Sequence, residues 1–158
     1  MPSLLVFPAK DKTTHAKDAQ KATPPTTPTQ TQHHSPYHTI GVSGHATVFY
    51  QAMWGIDKLS VRRTASGNLI RFSYRVTNDE RAKVLGLKES TPHLIDPRRG
   101  LMFEIPVMEN IGQLRQTGIP IVGQEYWMVF SNKGDVVKAG DRVDVVIGSF
   151  HADGLRVE

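Results

Sequence analysis

The sequence predicts a mostly β protein: a two-layer antiparallel β-sandwich, immunoglobulin-like, of about seven strands, behind a disordered N-terminal arm. Three observations predict it. From Ile56 onward, hydrophobicity alternates with a period of two in one segment after another. Turn chemistry separates those segments, as in "SGN" at Ser66–Asn68 and "DPRRG" at Asp96–Gly100. No helical pattern lies between consecutive strands, which argues against the crossover helices that parallel sheets require. The arm covers residues 1–38 and the domain residues 39–158.

The arm carries "KATPPTTPTQTQHHSP", rich in Thr, Pro and Gln and without a large apolar residue. Such a segment buries too little surface to offset the entropy of ordering, so a flexible linker is expected. "HATVFYQAMWGI" then sets Ala46, Phe49, Tyr50, Met53 and Trp54 on one helical face, while Val48, Phe49 and Tyr50 also suit a strand; a short helix or irregular segment at the domain's edge is the favoured expectation. In "IDKLSVRRT", Leu59 and Val61 face one way and Lys58, Ser60 and Arg62 the other. "LIRFSYRVTN" alternates Ile70, Phe72, Tyr74 and Val76 against Arg71, Ser73 and Arg75, as in a strand with one buried and one wet face.

"NDERAKVLG" reads as one or two helical turns, capped by Asn78, with Asp79 and Glu80 at the positive end and Gly86 as the stop. "HLIDPRRGLMFEIPVM" reads as two strands around a turn, with Leu101, Phe103, Ile105 and Val107 on a shared face. Pro106 lacks a backbone donor, so the second of these strands belongs at a sheet edge. "ENIGQLRQTGIPIVGQ" is a longer connection. "EYWMVFSN" and "DRVDVVIGSF" are further strands, the latter with Val143, Val145 and Ile147 inward, and "LRVE" follows as a last short one.

Composition excludes several functions. The chain of 158 residues has no cysteine, which removes disulfides, thiol catalysis and cysteine-ligated metal centres. The formal charge is +4 and the pI about 9.5. Residues 1–38 hold four Lys against two Asp, a contribution of +2, and the remaining 15 basic and 13 acidic residues contribute another +2. The basic residues of the domain are interspersed with acids and form no stripe, so nucleic acid is not an expected partner. The first residues, "MPSLLVFPAKDK", offer a four-residue apolar run with no basic residue before it. A secretory signal needs about 7–15 apolar residues, and a membrane helix about 18 or more. Neither is expected from this chain.

The candidate sites are few. His33, His34, His38 and His45 lie within "HHSPYHTIGVSGH", and imidazoles on a flexible segment suit Cu(II), Ni(II) or Zn(II). Their spacing matches no HExxH helix, and a polar linker is the plainer reading. Met53, Met102, Met108 and Met128 are scattered and are expected to fill core space. No GxSxG elbow, P-loop or GxGxxG occurs, and Ser43 beside His45 does not by itself make a triad, so no catalytic residue is assigned. Arg62, Arg71 and Arg75 share the polar faces of two strands. If those strands pair, the arginines form a surface for an acidic partner, or else bridge to Glu104 or Asp144 across strands. Asp135, Asp141 and Asp144 depart from the calcium-loop spacing and are better placed in turns and on an outward strand face.

"RFSYRVTN", "LIDPRRGLMFEIPVM", "IGQLRQ" and "VFSNKGDVVKAGDRVDVVIG", in this order, resemble an uncharacterised family of small bacterial β-sandwich domain proteins, exported or membrane-anchored. The resemblance spans Trp54 to Glu158. It implies a single domain of the periplasm or envelope, and membrane association only through an anchor that the first 40 residues here do not contain. It implies no activity and no cofactor. The expectation from residues and resemblance together is a non-enzymatic binding or assembly module with a protein partner. No particular small molecule is expected. The alternative is a metal-handling accessory protein that uses the histidine segment.

Overall fold

Ile70, Phe72, Tyr74 and Val76 are all buried, while Arg71 between them is exposed and Ser73 and Arg75 are half-buried. One face of this strand is therefore core, as its alternation demands. The structure is a computed structural model that describes residues 42–158. They belong to one unit, Tyr37–Glu158. The expected arm, residues 1–38, lies outside the described residues.

Helix α1 (Gly44–Trp54) is followed by β1 (Ile56–Thr64), β2 (Leu69–Val76), helix α2 (Asp79–Gly86), β3 (Pro92–Asp96) and β4 (Leu101–Glu104). Two short strands, β5 (Val107–Met108) and β6 (Gly112–Gln113), form a small hairpin. Then come β7 (Glu125–Ser131), β8 (Arg142–Ile147) and β9 (Phe150–Arg156). The order in one sheet is β1-β2-β7 and in the other β4-β3-β8-β9, with every strand pair antiparallel. The mostly β, sandwich-like expectation is met. The seven longer strands correspond to the expected seven.

The core lies between the two sheets. Phe72 of β2 meets Phe150 of β9 across it, with ring centroids 6.4 Å apart. Helix α1 closes one end of the core by laying Tyr50 and Trp54 on the same Phe150, with centroids at 6.2 and 5.4 Å. The buried stripe of α1 is Ala46, Tyr50 and Trp54, at i, i+4 and i+8. Phe49 and Met53, expected on that stripe, are exposed. Four-residue steps alone follow a narrower line than the mixed three- and four-residue steps of the expectation. Gly55 ends the helix in a left-handed conformation (φ 61°), and its carbonyl accepts from the N–H groups of Thr77 and Asn78. A Cβ at Gly55 would stand 2.5 Å from the Asn78 carbonyl oxygen, so only glycine fits here.

Helix α2 matches its expectation: the Asn78 side chain accepts from the Arg81 N–H at 3.0 Å, with Asp79 and Glu80 in the first turn. Strand β1 holds one feature that alternation does not reveal. Ile56 and Leu59 are three residues apart, yet both are buried. The pairing slips by one residue between Asp57 and Ser60, where Lys58 takes a positive φ of 51°. This β-bulge absorbs the extra residue and returns Leu59 and Val61 to the core.

Two expectations need correction near β4. The strand stops at Glu104, before Ile105-Pro106, so Leu101 to Val107 do not share one buried face: Ile105 is buried, whereas Leu101 and Val107 are exposed. The strand expected at an edge is at one, since β4 is the outermost strand of its sheet, although Pro106 itself lies beyond its last paired residue. The methionines also divide differently. Met128 fills the core, but Met53, Met102 and Met108 are 57%, 58% and 44% exposed, so core filling holds for one of the four.

Candidate functional site: the polar face of the three-stranded sheet

The pairing of β1 with β2 brings the expected arginines onto one surface. Arg62 lies directly opposite Arg71, and Arg75 lies between Asp57 of β1 and Glu125 of β7. Like charges placed opposite each other repel, so the fold must supply partners. Arg75 donates to both carboxylate oxygens of Asp57, Nε at 2.8 Å and Nη2 at 2.5 Å, in the two-pronged geometry that suits guanidinium and carboxylate. The Gln51 side chain of α1 donates to the same carboxylate at 3.1 Å. The hydrogen bonds from Arg75, ahead of all other causes, hold Asp57 below the usual carboxylate range. The Arg62 Nε donates to Glu158 at 2.9 Å. Arg71 lies over the Trp127 ring, 5.3 Å from its centroid, in a cation–π contact.

The expected partners Glu104 and Asp144 play no part in this. Both stand on the other sheet, Glu104 opposite His93 and Asp144 accepting from the Gly154 N–H at 2.7 Å across a bulge in the β8–β9 pairing. The true partners depend on topology. The Asp57–Arg75 pairing follows from the register around the β1 bulge. Glu158 reaches Arg62 because Val157 bridges Val61 in parallel after β9. Neither relation has a local signal in the sequence.

Beside these residues is an open groove of about 630 Å³, lined by Lys58, Ser60, Arg62, Arg71, Ser73 and Glu125 among others. Its chemistry is mixed in charge: of the expected arginines, Arg62 and Arg71 line it, with Arg62 tied to Glu158, while Arg75, tied to Asp57, is not in its lining. Arg71 keeps the edge of its guanidinium available while its face rests on the indole. Among the described residues, no group of three or more His, Asp or Glu side chains is placed to hold a metal ion. His33, His34 and His38 lie outside the described residues. His45 stands exposed in the first turn of α1. Ser43, its neighbour, is the helix cap, and its hydroxyl accepts from the Ala46 N–H at 3.4 Å.

The three aspartates near the C-terminal end all have structural partners. Asp135 accepts from Arg63 and Lys138, each at 2.5 Å, and these hydrogen bonds, that from Lys138 foremost, lower its pKa. Asp141 accepts from the Lys138 N–H and from Arg99, both at 2.9 Å. Through Arg99 it is tied to the buried Asp96, which also accepts from the N–H groups of Arg98 and Arg99 and shapes the β3–β4 turn. Asn132, fully buried, donates to the carbonyls of Gly67 at 2.7 Å and Val137 at 3.0 Å and accepts from the Val137 N–H at 3.0 Å. It thereby joins the β1–β2 turn to the loop after β7.

Comparisons with protein-family models, with curated proteins and with solved structures found no match.

Proposed function

We propose that residues 42–158 form a non-enzymatic binding or assembly module whose contact region runs from β4 through the connection to β7. One observation carries this reading. Of the twelve large hydrophobic residues exposed among the described residues, eight fall between Leu101 and Val122, with Ile111 at 73% and Ile119 at 82%. Exposed apolar residues scattered singly need no explanation, but concentration in one stretch marks contact surfaces. Met102 and Met108 add adaptable side chains of the kind found where partners are bound. The polar sheet face is the weaker candidate, since its charges are largely paired within the chain.

An immunoglobulin-like reading of the fold is supported by strand order. Lettered in sequence, the seven longer strands form sheets A-B-E and D-C-F-G. The constant-type immunoglobulin arrangement is A-B-E-D and C-F-G, so the difference is the sheet joined by the fourth strand. A place in the bacterial envelope is supported only by the resemblance of the four short motifs. The test is a photoreactive residue placed at Ile119 or Val107 in the full chain, compared with one at Ser60 on the polar face. Adducts to a macromolecule in the producing cells are expected from the first two positions. Equal adducts from Ser60, or none at all, would overturn the reading.

A further inference from the structure

The two sheets have four outer strands, and they differ in how their main chains are occupied. The outer side of β1 takes up Val157 and Glu158 in parallel: the Glu158 N–H donates to Val61 at 2.9 Å, and the Arg63 N–H donates to Glu158 at 3.0 Å. The outer side of β7 takes up Leu114 to Gln116, through Val129 N–H to Leu114 at 2.9 Å and Gln116 N–H to Trp127 at 3.1 Å. Strand β9 runs on into the segment that pairs with β1, and Tyr50 of α1 lies beside its first residue. Within β9 itself and within β4 no main-chain partner stands on the outer side among the described residues, but β9 has helix α1 and strand β1 packed near it, whereas β4 is approached only by β7, without a hydrogen bond. An outer strand is normally blunted by short length, charge, proline or a bulge, and β4 has the first, with one charge at its end. Strand β4 reads Leu-Met-Phe-Glu, has no bulge in its register, and leaves Leu101 and Met102 exposed at 40% and 58%.

We propose that β4 is the pairing edge for a second copy of this chain, joined antiparallel about a two-fold axis. This rests on the binding-module reading and names its partner. The argument is charge complementarity. The strand is flanked at its start by Arg98 and Arg99 and closes with Glu104. Arg99 is committed to Asp96 and Asp141, whereas the Arg98 side chain is 71% exposed and reaches Asp141 only at 3.7 Å. In an antiparallel self-pair the start of one strand meets the end of the other. The axis passes at Met102 or at Phe103, according to which alternate residues point their N–H and C=O groups outward. With the axis at Met102, Met102 meets its counterpart, Leu101 meets the partner's Phe103 and Glu104 faces the partner's Gly100; with the axis at Phe103, Glu104 faces the partner's Met102, so in both registers Glu104 lies toward the arginine end of the other copy. A parallel pairing would set arginine beside arginine and glutamate beside glutamate. A four-residue strand supplies few main-chain bonds, so the apolar contacts must carry most of the affinity, and a dissociable dimer is expected.

Sedimentation velocity of the full chain across micromolar to submillimolar concentration tests this. A concentration-dependent dimer is expected. Met102→Lys, at an exposed position, abolishes it with circular dichroism unchanged. Glu104→Arg weakens it at least tenfold, and adding Arg98→Glu to that variant restores most of the loss. Phe49→Asp on the exposed side of α1 leaves it intact. A monomer at every concentration overturns the proposal, as does a dimer that survives Met102→Lys or is broken by Phe49→Asp alone. A monomer that still gives adducts from Ile119 to another protein leaves the binding-module reading standing and removes only the self-pairing.

Discussion

The polar face of the β1-β2-β7 sheet and the outer edge of β4 make an instructive pair. The first is crowded with charge and draws attention in any reading of the sequence. Yet Arg75 and Arg62 are held by Asp57 and Glu158, and Arg71 rests on Trp127. The second holds few charges, but Leu101 and Met102 are exposed there and its outward main-chain groups have no hydrogen-bond partner among the described residues. A conspicuous residue type is therefore a poor guide to an interacting surface. What matters is whether the groups are already satisfied within the fold.

The contrast is broken most severely by cutting into the core that both regions share. Phe150 touches the rings of Tyr50, Trp54 and Phe72 and is fully buried. Phe150→Ala is expected to cost about 4 kcal/mol in denaturant-melt stability, from lost burial and the cavity left behind. A middle-sized effect comes from acid, and it touches the charged regions alone. Asp57, Asp135 and Asp141 each have a pKa lowered on folding, with hydrogen bonds from Arg75, Lys138 and the Lys138 N–H as the respective leading causes. Carboxylates lowered in this way contribute stability above their unfolded pKa, about 3.9, and lose it as the pH falls through their folded values. The thermal midpoint should therefore fall steadily below about pH 4. In Arg75→Gln the protein should be less stable at neutral pH and the decline shallower, because without its main partner Asp57 regains a folded pKa near its unfolded one and its share of the pH dependence is lost. The smallest effect sharpens the comparison from the other side. Ile119→Ser removes a large apolar side chain that is 82% exposed, so stability should change by less than about 0.5 kcal/mol. A loss of several times that would mean that Ile119 is packed within the fold and is not available to a partner.

Much of the architecture was legible because alternation leaves little choice. In β2 and β8, every residue expected inward is buried: Ile70, Phe72, Tyr74 and Val76 in one, Val143, Val145 and Ile147 in the other. A strand with one wet face can bury only alternate residues. The cap at Asn78 was equally plain, resting on a local hydrogen-bonding rule. The Lys58 bulge was not legible, since a single inserted residue shifts the pattern without changing the composition. The onset of β9 at Phe150 was hidden as well, because only Gly148 and Ser149 separate it from β8 and "HADG" breaks its alternation. The candidate surface was harder still. That Arg71 would meet Trp127, and Arg62 the far Glu158, depends on strand neighbours that no short window contains. Exposure misled in the same way: Met102 and Met128 are alike in sequence, but one lies on an outer strand and the other faces the core.

The buried Asn132 carries a consequence for the order of events in folding. Its amide reaches across 65 positions of chain to Gly67, whereas the hairpins β1–β2, β3–β4 and β8–β9 close over short loops. Short loops close quickly, and distant segments meet only after much of the chain has been ordered. The amide can find the Gly67 carbonyl only once β7 has aligned beside β2. It acts as a latch dropped after assembly, and such a latch governs how slowly the molecule comes apart far more than how fast it forms.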